Sequence, residues 1–189
     1  MTDLVLIQHC VPTLAGLKTG NLFAFRFPER TAMMQAVRRY NTRLANRGII
    51  MIPLRFRNGS GLLYVYRPEL LKRDLSGRGA RDLLRDCGYH SNDCARCIRE
   101  IIRRLRYESE FPHEIGLFLS YPPEDVRGFI EQRAGNCKAC GLWKVYGDVE
   151  DAQSIFTKFA RCTKQYQRAW QNGIELEKLA VKLEKENGS

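Results

Sequence analysis

Two apolar runs, Ile49–Phe56 and Leu62–Tyr66, flank the stretch Arg57-Asn58-Gly59-Ser60-Gly61. Asn-Gly supplies the left-handed residues that a tight hairpin turn requires, and β-branched and aromatic flanks favour strands. Residues 49–66 are therefore expected to form an antiparallel hairpin.

The segments around it follow the same rules. Residues 21–27 carry Leu22, Phe23, Phe25 and Phe27 and read as a buried strand. Pro28 and Glu29 then open a helix with Met33, Val37, Tyr40 and Leu44 on one face, closed by Gly48. Pro68 starts short helices that are interrupted at Ser76–Gly79 and stopped by Gly88. Ser91 or Asn92 caps the next helix, which runs to Tyr107 with Cys94, Ile98, Ile101 and Leu105 as its buried stripe. A strand is expected over Ile115–Tyr121, and a helix from Pro122 to near Gly135. A further strand covers Leu142–Tyr146, and a long helix follows Gly147-Asp148 until Asn172-Gly173 breaks it.

From residue 21 the order is strand, helix, strand, strand, helices, strand, as in a ferredoxin-like split β-α-β unit. The expectation is an α+β domain over residues 1–171, with a mixed or antiparallel sheet of about five strands packed by helices. Residues 172–189 form a charged amphipathic helical tail with Leu176, Leu179 and Leu183 as its stripe.

At 189 residues the chain can bury a core without disulfides. No apolar run approaches the roughly 18 residues of a membrane span, and no basic segment followed by a long apolar stretch opens the chain. A cytoplasmic protein is expected, with its seven cysteines reduced. The net charge of +10 favours acidic partners: nucleic acid, an acidic protein or a phosphorylated small molecule. Arg96, Arg99, Arg103 and Arg106 form the densest basic patch. Aromatic stacking platforms are not interleaved with them, which argues against nucleic acid.

Three groups of residues could carry chemistry. The first is Cys10, which precedes a Pro12 suited to the first turn of a helix expected to end at Gly20. A thiol at a helix N-terminus is primed as a nucleophile or ligand. His113 is the candidate base, with Glu114 or Asp125 (or Asp148) as the orienting carboxylate. His9, Thr13 and Lys18 flank the thiol as candidate ligand-binding residues. The plainer reading makes Cys10 a small buried apolar residue and His113 a turn residue. Gly16-Leu17-Lys18-Thr19 lacks the two spaced glycines of a phosphate loop.

The second group is the two Cys-x-x-Cys pairs, Cys94/Cys97 and Cys137/Cys140. Together they have the donor set of a tetrahedral zinc site, or of an iron centre, with Cys87 and His90 nearby in sequence. Cys137-Lys-Ala-Cys140-Gly141 is the better knuckle, because a loop containing glycine can wrap sulfur ligands. The third group is the basic surface itself.

Three long motifs carry a resemblance. They are His9-Cys10-Val-Pro12-Thr13-Leu14-Ala15-Gly16-Leu-Lys18-Thr-Gly20, then Phe111-Pro112-His113-Glu114-Ile115-Gly116-Leu117-Phe118-Leu119 continuing through Tyr121-Pro122-Pro123-Glu124-Asp125-Val126, and Cys140-Gly141-Leu-Trp143-Lys144-Val145-Tyr146-Gly147-Asp148. Through these the chain resembles a bacterial family of unknown function found in anaerobic Firmicutes, over most of residues 4–165. The resemblance implies no particular activity. A loose association of such proteins with iron-uptake and flavodoxin genes implies iron, redox chemistry or an acidic flavodoxin-like partner. Two functions are therefore expected as alternatives: a thiol-centred site at Cys10 and His113, or a metal- or iron-linked redox binding protein that docks an acidic partner through its basic surface.

Overall fold

The computed structural model describes residues 1–91 and 93–183. The chain divides into two compact units, one of residues 1–68 with 162–189 and one of residues 69–161.

The first unit begins with two short helices, α1 (Asp3–His9) and α2 (Val11–Leu14), followed by β1 (Gly20–Arg26). The helix expected to continue to Gly20 ends instead at Leu14. Gly16 adopts φ +74°, and the amides of Leu17 and Lys18 turn back to the Pro12 carbonyl. Next comes α3 (Arg30–Leu44), whose stripe Met33, Val37, Tyr40 and Leu44 is buried as its spacing predicts. Gly48, at φ +66°, caps the 3₁₀ turn that follows. The hairpin is β2 (Ile50–Arg57) and β3 (Ser60–Tyr66), joined by Asn58 and Gly59, both at positive φ. The sheet is antiparallel in the order β1-β3-β2. Pro53 is tolerated because β2 is an edge strand with an irregularity between Pro53 and Arg55.

The second unit contains α4 (Pro68–Ser76), α5 (Arg78–Asp86), α6 (Cys94–Tyr107), α7 (Ile115–Phe118) and α8 (Pro123–Glu131). A small ladder of β4 (Ala139–Cys140) with β5 (Lys144–Val145) follows, and then the first part of α9 (Val149–Gln171). On α6, Asp93 is the N-cap and its carboxylate accepts from the Arg96 amide at 2.9 Å, displacing the Ser91 expected there; Asn92 lies outside the described residues. Its fully buried residues are Cys97, Ile101 and Leu105, with Cys94 and Ile98 only half-buried.

The expected five-stranded sheet is replaced by one three-stranded sheet and a separate two-residue ladder. The reason is Ile115–Tyr121, which is not a strand. Ile115 to Leu119 are buried all round, and a short apolar run of that kind suits a buried helical turn as well as a strand. Gly116 decides between them. A Cβ there would stand 2.7 Å from a Val126 methyl, and the Gly116 carbonyl accepts from the Tyr121 amide to close the turn. Leu142 is exposed, and only Lys144 and Val145 of the expected 142–146 strand are paired.

The chain returns to the first unit through the rest of α9, Gly173 at φ +84°, and α10 (Leu176–Leu179). The segment expected as a tail contributes Leu176, Leu179 and Ala180 to the core, beside Leu6, Ile7, Leu14, Leu63 and Val65. Residues 184–189 of that expectation lie outside the described residues.

Candidate functional site

Cys10 occupies the joint between α1 and α2. Its amide donates to the Leu6 carbonyl and its carbonyl accepts from the Leu14 amide. The side chain is 0% exposed, in the same cluster as Leu6, Ile7, Val11 and Leu14. Burial pushes the thiol far above its usual value, and the nearby Lys18 opposes that only in part. The primed, accessible sulfur expected there is thus a sealed one. A four-residue helix lends little dipole, and removing the thiolate from water costs far more.

The flanking candidates are also occupied. His9 is exposed and stacks on Phe23 at 5.3 Å. The buried Thr13 hydroxyl donates to Asn21 Oδ1 at 2.7 Å. Lys18 is buried, and desolvation lowers its ammonium to about 8.

The residue that organises this region is one that sequence reasoning missed. Arg67, 1% exposed, donates from Nε to the Thr13 carbonyl (2.6 Å) and from Nη2 to those of Leu14 (2.7 Å) and Val181 (2.7 Å). Its Nη1 donates to the Arg47 carbonyl (3.0 Å). One guanidinium therefore satisfies the end of α2, the turn after α3 and the C-terminal segment. Burial lowers it to about 10. No sequence pattern marks such a residue, since its acceptors are all backbone.

In the second unit His113 is exposed, with its ring 4.9 Å from Phe129 and 6.0 Å from Phe111. The carboxylates expected to orient it are engaged elsewhere. Glu114 is buried and accepts from the Tyr89 hydroxyl (3.1 Å) and Arg104 Nη1 (3.3 Å). Asp125 is buried and accepts from Trp143 Nε1, the Tyr146 amide and the Gly147 amide, each at 2.7 Å. It fastens the β4-β5 ladder to α8. Cys10 belongs to the first unit, and His113 with both carboxylates to the second.

The four cysteines expected as metal ligands are not gathered at one place. Among the described residues no three His, Cys, Asp or Glu side chains come together as a metal site. Cys97 points into the α6 core stripe, and its thiol donates to the Ser91 carbonyl at 3.2 Å. Burial raises Cys94 and takes Cys97 to about 11, which opposes the thiolates that zinc or iron would need. Cys137 is half-buried and Cys140 exposed.

The basic patch on α6 is neutralised only in part: Arg96 and Arg99 have no carboxylate within ion-pairing distance among the described residues. Arg103 pairs with Glu100 (2.8 Å) and Glu108 (2.7 Å), and Arg104 with Glu100 (2.9 Å) and Glu114 (3.3 Å). Glu100, Arg103 and Arg104, with His90 and Arg96, line a groove of about 470 Å³ whose counter-charge is the Glu100 carboxylate. Residues 69–161 as a whole carry sixteen basic and fifteen acidic side chains.

The first unit has no such balance. Residues 1–68 and 162–189 together hold fifteen basic side chains against six acidic ones, and within residues 1–68 the count is ten against two, Asp3 and Glu29. Asp3 is committed to Arg43 at 2.6 Å. At the hairpin end, Arg26 of β1 and Arg57 of β2 both lie in register with Ser60 of the central strand. Strand spacing puts their backbones about 10 Å apart on one face. Arg55 lies on that face across from Leu62, and Arg30 opens α3 just after the Phe27 amide bonds to Gly59 of the turn. Arg26, Arg30 and Arg57 are exposed and Arg55 is half-buried. Among the described residues none of the four has a carboxylate within ion-pairing distance. The scarcity of acidic residues before residue 68 was the visible signal for this surface; the density of arginines along α6 was a misleading one.

The model of a family described as proteins of unknown function, DUF3793, matches residues 6–180. No curated protein and no solved structure matches the chain.

Proposed function

The chain belongs to the DUF3793 family, and from that premise, which assigns no reaction, we propose that it is a binding protein whose first unit docks an acidic protein partner. The observation that carries this reading is the cluster of Arg26, Arg30, Arg55 and Arg57 at the hairpin end, which finds no carboxylate among the described residues. Four guanidiniums gathered without counter-charge repel one another, and that cost is relieved when carboxylates approach. Guanidinium matches carboxylate with two parallel hydrogen bonds, so arginine suits this task better than lysine. The twist of a β-hairpin also presents such side chains on a rigid frame, which limits the entropy lost on docking.

An acidic flavodoxin-like carrier is the partner class of this proposal. Its test is binding of a flavodoxin to the full-length chain at about 50 mM and about 200 mM salt, beside a DNA duplex of similar charge. Flavodoxin affinity should fall steeply with salt and exceed that for the duplex. Tighter binding of the duplex, or binding of flavodoxin indifferent to salt, overturns the proposal.

A further inference from the structure

The groove beside α6 is left unused by the docking surface, and it lies wholly within the second unit. One wall is a single face of α6, on which Arg96, Glu100, Arg103 and Arg104 follow one another at helical spacing. The other wall is the segment 88–91 that follows α5. Contacts from the helix fasten that segment in place. Arg104 Nη2 donates to the Cys87 carbonyl at 2.6 Å, and the same guanidinium lies over the Tyr89 ring, 4.7 Å from its centre. The Cys97 thiol donates to the Ser91 carbonyl at 3.2 Å. The Tyr89 hydroxyl donates to the buried Glu114 at 3.1 Å. The groove is therefore formed before any ligand arrives, which lowers the cost of binding.

Its walls carry hydrogen-bond donors in excess. Glu100 is the carboxylate that lines it, and both of its oxygens already accept from Arg103 or Arg104. Glu108 and Glu114 pair with these arginines without lining the groove. Arg104, its side chain only 15% exposed, retains one N–H on each Nη beyond the bonds it makes. Among the described residues Arg103 retains both hydrogens of Nη1, and Arg96 its whole guanidinium. The organic part of a ligand would meet polar groups as well. Tyr89 and Cys97 are buried, and Arg104 covers the Tyr89 ring, so the open surface belongs mainly to His90, Ser91 and the arginines. At about 470 Å³ the groove is of the size that takes a small molecule, and a bare phosphate ion would fill only a small part of it.

We propose that this groove binds a small polar phosphate monoester of the sugar phosphate class, whose phosphoryl oxygens accept from Arg96, Arg103 and Arg104. A phosphate monoester brings up to two negative charges and three acceptor oxygens, so it engages several guanidiniums at once. A single carboxylate brings one charge and two oxygens. The site is independent of docking at the hairpin end, which belongs to the other unit.

The test is calorimetric titration of the full-length protein at low salt with ribose 5-phosphate, inorganic phosphate and ribose. Ribose 5-phosphate should bind once per chain with a dissociation constant below about 1 mM. Inorganic phosphate should bind several times more weakly, and ribose not at all. Arg96 is exposed, so Arg96→Gln retains the fold, and it should weaken ribose 5-phosphate about tenfold. Arg26→Gln/Arg57→Gln at the hairpin end should leave that affinity unchanged. Absence of ribose 5-phosphate binding, inorganic phosphate bound as tightly, or Arg96→Gln binding like the wild type overturns the proposal. An equal loss in the hairpin variant also overturns it, because the binding would then be general attraction to a basic protein.

Discussion

The two units differ in how much of their arginine charge is met by carboxylate. In the second, Arg103, Arg104 and Arg127 each meet carboxylates, and the charges of residues 69–161 nearly cancel. In the first, Arg67 is buried against four backbone carbonyls, and Arg26, Arg30, Arg55 and Arg57 meet no carboxylate among the described residues. Exposed ion pairs add little to stability, so the pairing on α6 mainly sets surface character. Cations held without counter-charge have larger consequences. Buried, such a cation becomes a structural hub; exposed, a group of them becomes a surface that favours an anionic partner.

The largest effect should come from the hub. Arg67→Met removes the guanidinium from the carbonyls of Thr13, Leu14, Arg47 and Val181, of which Thr13 and Leu14 keep the Gly16 and Val181 amides as donors, and should cost about 3–5 kcal/mol in chemical denaturation. A loss below about 1 kcal/mol, the scale of a surface pair, would erase the contrast between the units.

Lys18 gives the next largest effect, read through pH. Its folded value of about 8 lies below its ordinary 10.5. Between those limits the unfolded chain binds more protons, so Lys18 makes stability rise with pH. Cys10, raised by burial from 9.0, acts in the opposite sense above pH 9, but it is common to wild type and variant. The stability of wild type relative to Lys18→Met should therefore increase by about 2–3 kcal/mol from pH 8 to pH 10.5. A pH-independent difference would show that Lys18 titrates normally.

Asp125 is the second unit's counterpart, a buried anion among N–H donors. Two backbone amides share Oδ1 while Trp143 holds Oδ2, and an amide side chain can accept on one oxygen only. Asp125→Asn should cost about 1–3 kcal/mol and weaken protection of the Tyr146 and Gly147 amides from hydrogen exchange. Full protection would mean that the ladder is held by other contacts.

The smallest effect belongs to the paired surface. Glu100 is held down to about 2, first by the Arg103 hydrogen bond and then by Arg104. Its contribution is present above pH 4.5 and lost as pH falls towards 2. Glu100→Gln should change stability by less than about 1 kcal/mol at neutral pH, as measured by thermal unfolding.

Much of the first unit was legible in the sequence. Asn58-Gly59 forces its hairpin, Gly48 caps the turn after α3, and the Met33, Val37, Tyr40, Leu44 stripe faces the core. The second unit was harder because its signals are tertiary. Ile115–Leu119 has no periodicity, and only the fit of Gly116 against Val126 selects the helical turn. Cys10 stands at a joint that local rules read as an exposed helix start, yet it lies in a core built partly from Leu176 and Ala180, residues far along the chain. Arg67 left no trace at all, because its partners are carbonyls that every residue possesses.

The most direct test sets the arginines of the hairpin end against the exposed arginines of α6. Arg26→Glu/Arg57→Glu at the hairpin end and Arg96→Glu/Arg99→Glu on α6 reverse the same number of charges. Binding of flavodoxin, measured by calorimetry at low salt, should weaken about tenfold or more in the first variant and no more than about twofold in the second. Equal losses in both variants, or a greater loss on α6, would contradict the assignment of the docking surface to the first unit.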